Sequence, residues 1–450
     1  MAIKMPKCTC SRRRHAHLNL ARRKANKSIL KRIKANLLKF SNGGEEEAIK
    51  KFNLSRCQNQ ICKGKSLSND QMEIHQVSTI HFQDEIMMDI FRRLPMQSLL
   101  RFKCVSKLWK SLIDDPYFKR THYIHNRDNQ KVLFAERFLS VDDDNYRFYT
   151  CSLSMVEDKQ KLDCPTSCNS MDARIFCSCD GLVLIYVCSE TDYEELLLWN
   201  PSTRESMLVP HPEFPIITYI YGMEYDATSE GYKILAINMN DESTNISVEF
   251  LSVKRNSSWR KIGYPTDIQR IRGFRDCGTY NLAFLHGAFH WLGKFGKSTS
   301  RYYTTISLNI SNEVYGEVSL LKQMYDLCPW YFFVDHGVSV LRGMLCFYST
   351  YSNIAEGAKG IFKLWIMKDY GVRESWTNFI IIQDIDLFLS ARPMYMFGDC
   401  QVLLHFRRFG YFSSNFTTSG RPFDLCPECD TYKQGIVYAE SFISPTSLLT

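Results

Sequence analysis

Apolar positions between Phe82 and Tyr123 recur with a helical period. Ile86, Ile90 and Leu94 stand four residues apart, and Met87 and Phe91 widen the stripe. Asp84 and Glu85 open it, where a helix N-terminus favours negative charge. Pro95 ends the run, because the residue before a proline is pushed out of the helical region. Leu99, Phe102 and Val105 give a second face, and Ser106 is placed to cap a third helix carrying Leu108, Trp109, Leu112 and Ile113. Asp114-Asp115-Pro116 closes it. Three short helices within about forty residues cannot bury a full core of their own. Their apolar residues therefore read as half of an interface.

From about residue 130 the pattern becomes short β-prone runs separated by turn residues. Similar strands open at DGLVLIYV, GYKILAI, HGAFHWLG, RGMLCFY and GDCQVLLHF. Their key positions, Gly181, Tyr232, Gly287, Gly343 and Asp399, are spaced by 51, 55, 56 and 56 residues. Each unit continues into a second strand that ends at a polar turn, as in LLLWNPSTRE. A weaker sixth unit runs from KVLFAERF through YRFYTCSLSM. A period near fifty residues with about four short strands per unit predicts a kelch-like β-propeller, with an irregular β-sandwich as the alternative. One blade has two apolar faces, and only radial packing against neighbours buries both while protecting the edges.

Composition narrows the class. With 45% hydrophobic and 13% aromatic residues in 450, the chain is a folded protein of two or three domains. No apolar run is long enough to span a bilayer, and the N-terminus lacks the apolar segment of a signal peptide. The 17 cysteines, scattered through apolar runs, read as reduced thiols of a nuclear or cytoplasmic protein. Of the net charge of +8, thirteen positive charges with no acid lie in residues 1–40, which leaves the rest of the chain at −5. The body is thus not read as a nucleic-acid binder. The arm itself reads as a solvated basic tail, a nuclear localisation patch or a transit peptide. Residues 1–78 are expected to be arm and linker, largely disordered.

The ordered string Leu94-Pro95, Ser98 to Phe102, Cys104 to Lys107, Trp109, Leu112-Ile113 and Asp115-Pro116 resembles the F-box. That segment docks a substrate receptor onto the Skp-family adaptor of a cullin-RING ubiquitin ligase. The resemblance assigns residues 79–123 to an all-α F-box and implies an adaptor-binding face of Phe82, Ile86, Ile90, Leu94, Pro95, Leu99, Val105 and Trp109. Family members usually open the first helix with Leu-Pro, where this chain has Phe82-Gln83; the missing proline contact leaves room for a scaffold that docks weakly. Further on, Cys179 to Leu182, Leu198 to Glu205, Tyr225-Asp226, Ser258 to Arg260, Asn281 to Trp291, Leu364 to Lys368 and Ala439 to Ser441 resemble the plant F-box-associated domain, expected over 130–445. The resemblance implies a substrate-recognition subunit of a Skp adaptor-cullin-F-box ligase. It would bind the adaptor, and through it the cullin and RING subunits, and hold a protein target for ubiquitination and degradation. The target is not named by the sequence, and no membrane partner is implied. Target-binding loops are expected at 190–195, 240–246, 294–302 and 351–359, where repeat lengths vary.

Catalytic and metal chemistry find little support. Cys426 and Cys429 have the spacing of one zinc pair, but Cys164 with Cys168, and Cys177 with Cys179, are poor companions. Cys8, Cys10, His15 and His17 lie in the basic arm. A copper oxidase on this fold would need a His/Tyr/Cys cluster at its centre, and none is identifiable. No nucleophile elbow or phosphate loop occurs. His286 and His290 read as cross-strand packing. No cofactor, metal or catalytic residue is expected.

Overall fold

The computed structural model describes residues 84–137, 146–153, 155–166, 170–189, 193–238, 247–263, 282–295, 302–325, 331–353, 359–386, 389–408, 414–418, 421–423 and 432–449. The basic arm, Phe82, Gln83, Cys168, Cys426 and Cys429 lie outside them. The chain divides into two units, Met1–Ile90 and Phe91–Thr450, and the contacts described below are within the second.

Four helices precede the first strand among the described residues: α1 (Asp84–Phe91), α2 (Met96–Lys103), α3 (Lys107–Asp114) and α4 (Pro116–Asn126). The expected three-helix module thus gains a fourth. Asp115-Pro116 ends α3 and also starts α4: the Asp115 carboxylate accepts from the Phe118 N–H at 3.0 Å, and Pro116 sits at the first helical position. The α1 run stops at Phe91 rather than Leu94, and Pro95 becomes the N-cap residue of α2. Ser106 does occupy the N-cap of α3, but its side chain makes no capping hydrogen bond.

The strands form six four-stranded antiparallel sheets among the described residues. The first contains β1 (Gln130–Arg137), β2 (Tyr146–Ser152) and β3 (Met155–Leu162). The next is β4 (Ser170–Cys179), β5 (Leu182–Ser189), β6 (Glu194–Asn200) and β7 (Glu205–Leu208). Then come β8 (Tyr219–Asp226), β9 (Gly231–Asn238), β10 (Val248–Ser252) and β11 (Arg260–Ile262). The fourth has β12 (Ala283–Leu285), β13 (Ala288–Phe295), β14 (Tyr302–Asn309) and β15 (Tyr315–Ser319). The fifth has β16 (Tyr331–Leu341), β17 (Met344–Asn353), β18 (Lys359–Met367) and β19 (Trp376–Asp386). The last has β20 (Leu389–Met396), β21 (Val402–Arg408), β22 (Ser414–Thr418) and β23 (Arg421–Phe423). β24 (Tyr432–Ala439) returns to pair with β1 from Gln130↔Ala439 to Arg137↔Tyr432. The inner strands β24, β4, β8, β12, β16 and β20 follow one another around a closed ring. This is a six-bladed propeller, not a sandwich, sealed by joining the two ends of the domain in one blade.

Apolar side chains fill the space between neighbouring sheets. Phe176, Leu184 and Leu198 of one blade meet Tyr221, Ile234 and Leu251 of the next. Leu133 and Phe148 meet Val183, Trp199 and Ile436 likewise. The repeat markers of the sequence fall at the junction between inner and second strands. Asp180 and Gly181 lie at φ 49° and 81°, between the paired residues Cys179 and Leu182. Positive φ at both central residues marks a primed hairpin turn. Gly181 is also tightly packed, since a Cβ there would lie 2.4 Å from Ser441 Oγ. Gly181→Ala is therefore expected to cost about 2–3 kcal/mol through backbone strain and overpacking, read as a lowered thermal midpoint.

A buried ion pair within one blade is also hydrogen-bonded to the next. Burial works against the Asp226 charge, yet hydrogen bonds from Lys233 and Ser229, both at 2.8 Å, and Ser311, also at 2.8 Å, hold its carboxyl far below the usual carboxylate range. Ser311 belongs to the neighbouring blade. A depressed folded pKa stabilises above the unfolded value of about 4, and that stabilisation is lost as pH falls toward the folded pKa. Asp226→Asn should lower stability at pH 7 by about 3 kcal/mol, leaving Lys233 buried with the Ile310 carbonyl as a partner but no counter-charge. The gap between the two proteins should narrow in unfolding curves taken below pH 4.

Candidate functional site

The helical module is organised by aromatic packing. Phe91 lies 5.9 Å from Phe102, 5.5 Å from Trp109 and 6.4 Å from Phe118, centroid to centroid. Leu99 and Ile113 are fully buried beside this cluster. The eight expected adaptor residues are thereby sorted. Phe82 lies outside the described residues; Ile90 and Leu99 are buried, and Leu94 and Trp109 half-buried. Ile86, Pro95 and Val105 are exposed. Val105, at 45% exposure, is joined by Leu108 at 49%, which the expected face omitted. Val105, Leu108 and Leu112 follow i, i+3, i+7, and of the three only Leu112 is buried.

The module is seated on one rim of the propeller. The Phe442 ring packs 6.3 Å from Phe118 and 5.3 Å from His122, with Lys103 Nζ 5.3 Å above it. Gln97 bonds Gln160 at 2.9 Å, and Tyr123 hydrogen-bonds Asp180. Asp180 also accepts from Tyr232 at 2.9 Å, and burial together with this carboxylate pushes the Tyr123 phenol up. Phe442 is presented by the segment after β24. That segment is held by Asn200, whose Nδ2 donates to Ser441 O at 2.9 Å and Ile443 O at 2.8 Å. The Asn200-Pro201 pair was legible as a turn, and its Oδ1 does accept from Ser202 N at 2.8 Å. Its second role, clasping the C-terminal segment, was not.

The rim bearing α4 carries the tight turns: Asp180-Gly181, His286-Gly287 and Arg342-Gly343. Strands alternate in direction, so the connections β5–β6, β9–β10, β13–β14 and β17–β18 join strand ends on the opposite rim. The four expected target stretches are these connections. Residues 190–192, 240–246, 296–301 and 354–358 within them lie outside the described residues. Between the rims runs a central channel of ≈ 490 Å³, lined by Ile175, Met223, Ala283, Val338, Pro393 and Ile436 from the six inner strands. Near the Tyr123 mouth, burial raises the Glu224 carboxyl, which accepts from Cys179 Sγ at 3.1 Å.

Candidate chemistry resolves into packing. His290 is buried in β13, with Nδ1 3.3 Å from Ala283 O and Nε2 2.7 Å from Tyr370 OH. Burial brings its pKa down to about 4. His286 is in the turn and stacks edge-on against the same Tyr370 ring, 4.7 Å away. Burial pushes the Cys151 thiol up to about 11 and that of Cys346 to about 12, so neither is a ready nucleophile. Among the described residues no three His, Cys, Asp or Glu side chains converge as a metal site. No described helix is long and apolar enough to cross a membrane.

Comparison with known proteins agrees with this architecture. A family model described as the F-box associated beta propeller domain matches residues 131–405, and one for the F-box domain matches residues 81–121. An F-box/kelch-repeat protein of Arabidopsis thaliana is 24% identical over 376 residues, covering 81% of this chain and 96% of its own. The F-box protein CPR1 of the same plant is 28% identical over 341 residues, covering 69% and 76%. The chain belongs to the plant F-box proteins with a C-terminal F-box-associated β-propeller domain.

Proposed function

We propose that the chain is the target-recognition subunit of a Skp adaptor–cullin–RING ubiquitin ligase, acting in the nucleus or cytoplasm. The observation that carries this reading is the joining of an F-box module to a closed propeller through Phe442, Tyr123 and Asn200. Val105 and Leu108 stay exposed on that module for an adaptor. The target is a protein held at the rim opposite α4, where the longer connections begin and end. The chain supplies no catalytic group of its own. It contributes proximity, since a target lysine fixed near an activated thioester reacts as a nearly intramolecular partner. A firm seat for the helical module serves that role, because slack between adaptor and target would dilute the effective concentration.

A second reading, a scaffold that docks the adaptor weakly, is favoured by Phe82-Gln83 in place of the usual Leu-Pro. Affinity of the full chain for a plant Skp adaptor separates the two. A dissociation constant below about 1 µM supports the receptor. Binding too weak to survive gel filtration, from a chain that melts cooperatively, supports the scaffold.

A further inference from the structure

We propose that the face carrying Val105 and Leu108 docks on a partner surface whose apolar pocket is rimmed by carboxylates, and that Lys107 and Lys110 set the speed of that encounter. The inference rests on the receptor reading above, with the Skp-family adaptor as the partner, and adds the chemistry that the adaptor must present.

The helices behind this face are locally basic. Residues 96–114 carry Arg101, Lys103, Lys107 and Lys110 against one acid, Asp114, whereas residues 41–450 together stand at −5. Pairing within the module leaves the excess on its surface. The Asp114 carboxylate holds Lys103 Nζ at 2.5 Å and lies 3.7 Å from Lys119 Nζ. Among the described residues Lys107 makes no ion pair, and Lys110 has only the field of the already occupied Asp114. Both lysines are exposed.

Helix geometry places these charges at the margin of the apolar pair. Around α3, Leu112, Trp109 and Ile113 turn inward, and the outward arc runs from Leu108 through Ser111 and Lys107 to Lys110. Asp114 lies on the same arc at the far end of the helix, where Lys103 and Lys119 hold it. Arg101, also exposed, stands four residues before Val105. An apolar centre with a charged rim is the arrangement of a protein interface. A phosphate backbone would answer the cations but would leave Val105 and Leu108 nothing to be buried against, so the occupant is an acidic protein surface. Rim charges stay solvated in the complex and tighten it little. Their larger effect is on association, because a complementary field draws the partner in before contact.

The test is the association and dissociation rates of the full chain with a plant Skp adaptor, at low and at high salt. Lys107→Glu with Lys110→Glu should slow association at least about tenfold at roughly 20 mM salt. At roughly 500 mM, where the screening length falls to about 4 Å, the difference from the parent should shrink below about twofold. Dissociation should change less than about twofold at either salt. The basic residues 1–40 are drawn to the same acidic partner, so the comparison is between proteins at each salt rather than between salts. Lys107→Gln with Lys110→Gln removes the charges without reversing them. It should give an intermediate on-rate, and it covers the case in which the reversed pair disturbs α3. Association that is indifferent to both pairs of substitutions would overturn the inference and leave the receptor reading intact. So would an effect confined to dissociation, or loss of duplex DNA binding with the adaptor on-rate unchanged. An adaptor that binds the parent at neither salt would overturn the receptor reading and this inference with it.

Discussion

Val105→Asp with Leu108→Asp is expected to abolish capture of a Skp-family adaptor while leaving the thermal midpoint within about 2 °C of the parent. Both side chains are nearly half exposed, on the turn before α3 and on its first residues. Substitutions at such positions shift stability by roughly 0.5 kcal/mol or less. In a complex the balance reverses. Burying an aliphatic side chain of this size contributes about 1.5–3 kcal/mol, and a carboxylate in its place must be desolvated without a partner. Loss of both anchors should weaken binding by more than about 100-fold. Leu99→Asp is the informative contrast. Leu99 is fully buried within the module, so that variant should lose adaptor binding only by unfolding the helices. A double variant that binds as well as the parent would place the docking face elsewhere on the module.

The second large effect is expected at Asn200. This side chain is fully buried and serves both its own turn and the C-terminal segment. Asn200→Ala strands the carbonyls of Ser441 and Ile443 and the N–H of Ser202, each an unmatched group worth about 1–3 kcal/mol. A total near 4 kcal/mol is expected, large against a whole-domain stability of about 5–15 kcal/mol. The loss should be accompanied by release of Phe442 from Phe118 and His122, read as faster hydrogen exchange over 441–449 and in α4. Asn200→Asp tests the division of labour, since it keeps the acceptor for Ser202 and removes the donor to Ser441. If it resembles the parent in denaturant melts, the turn and not the clasp is what Asn200 provides.

How far the sequence could be read depended on the range of each interaction. The first helix was legible because Ile86 and Ile90 stand one turn apart with Phe91 beside them, although Leu94, which continues that spacing, lies beyond its end; the blade period was legible because primed turns require residues such as Gly181 that tolerate positive φ. The weak unit opening at Lys131 proved to be a blade, β1 to β3. Its inner strand, β24, comes from some three hundred residues away, and no local pattern marks that pairing. The strands that opened each unit in the sequence are the second strands of the sheets. Among the inner strands only β12, Ala283–Leu285, is too short to advertise itself; β4, β8, β16, β20 and β24 run eight to eleven residues. Asp115-Pro116 was legible as a stop for α3 but equally encodes a start, and only the Phe118 N–H bond decides. On three helices of eight residues each, buried and exposed apolar positions share the same stripes, and burial alone separates Leu99 from Leu108.

Gel filtration with light scattering of the full chain, mixed with a plant Skp adaptor and the N-terminal half of a cullin, reads out whether the helical module and the propeller act together as a ligase receptor. One species with the mass of a 1:1:1 complex is expected, lost when the chain carries Val105→Asp and Leu108→Asp. A folded chain that elutes alone, leaving adaptor and cullin to run together without it, would rule out the proposed receptor role.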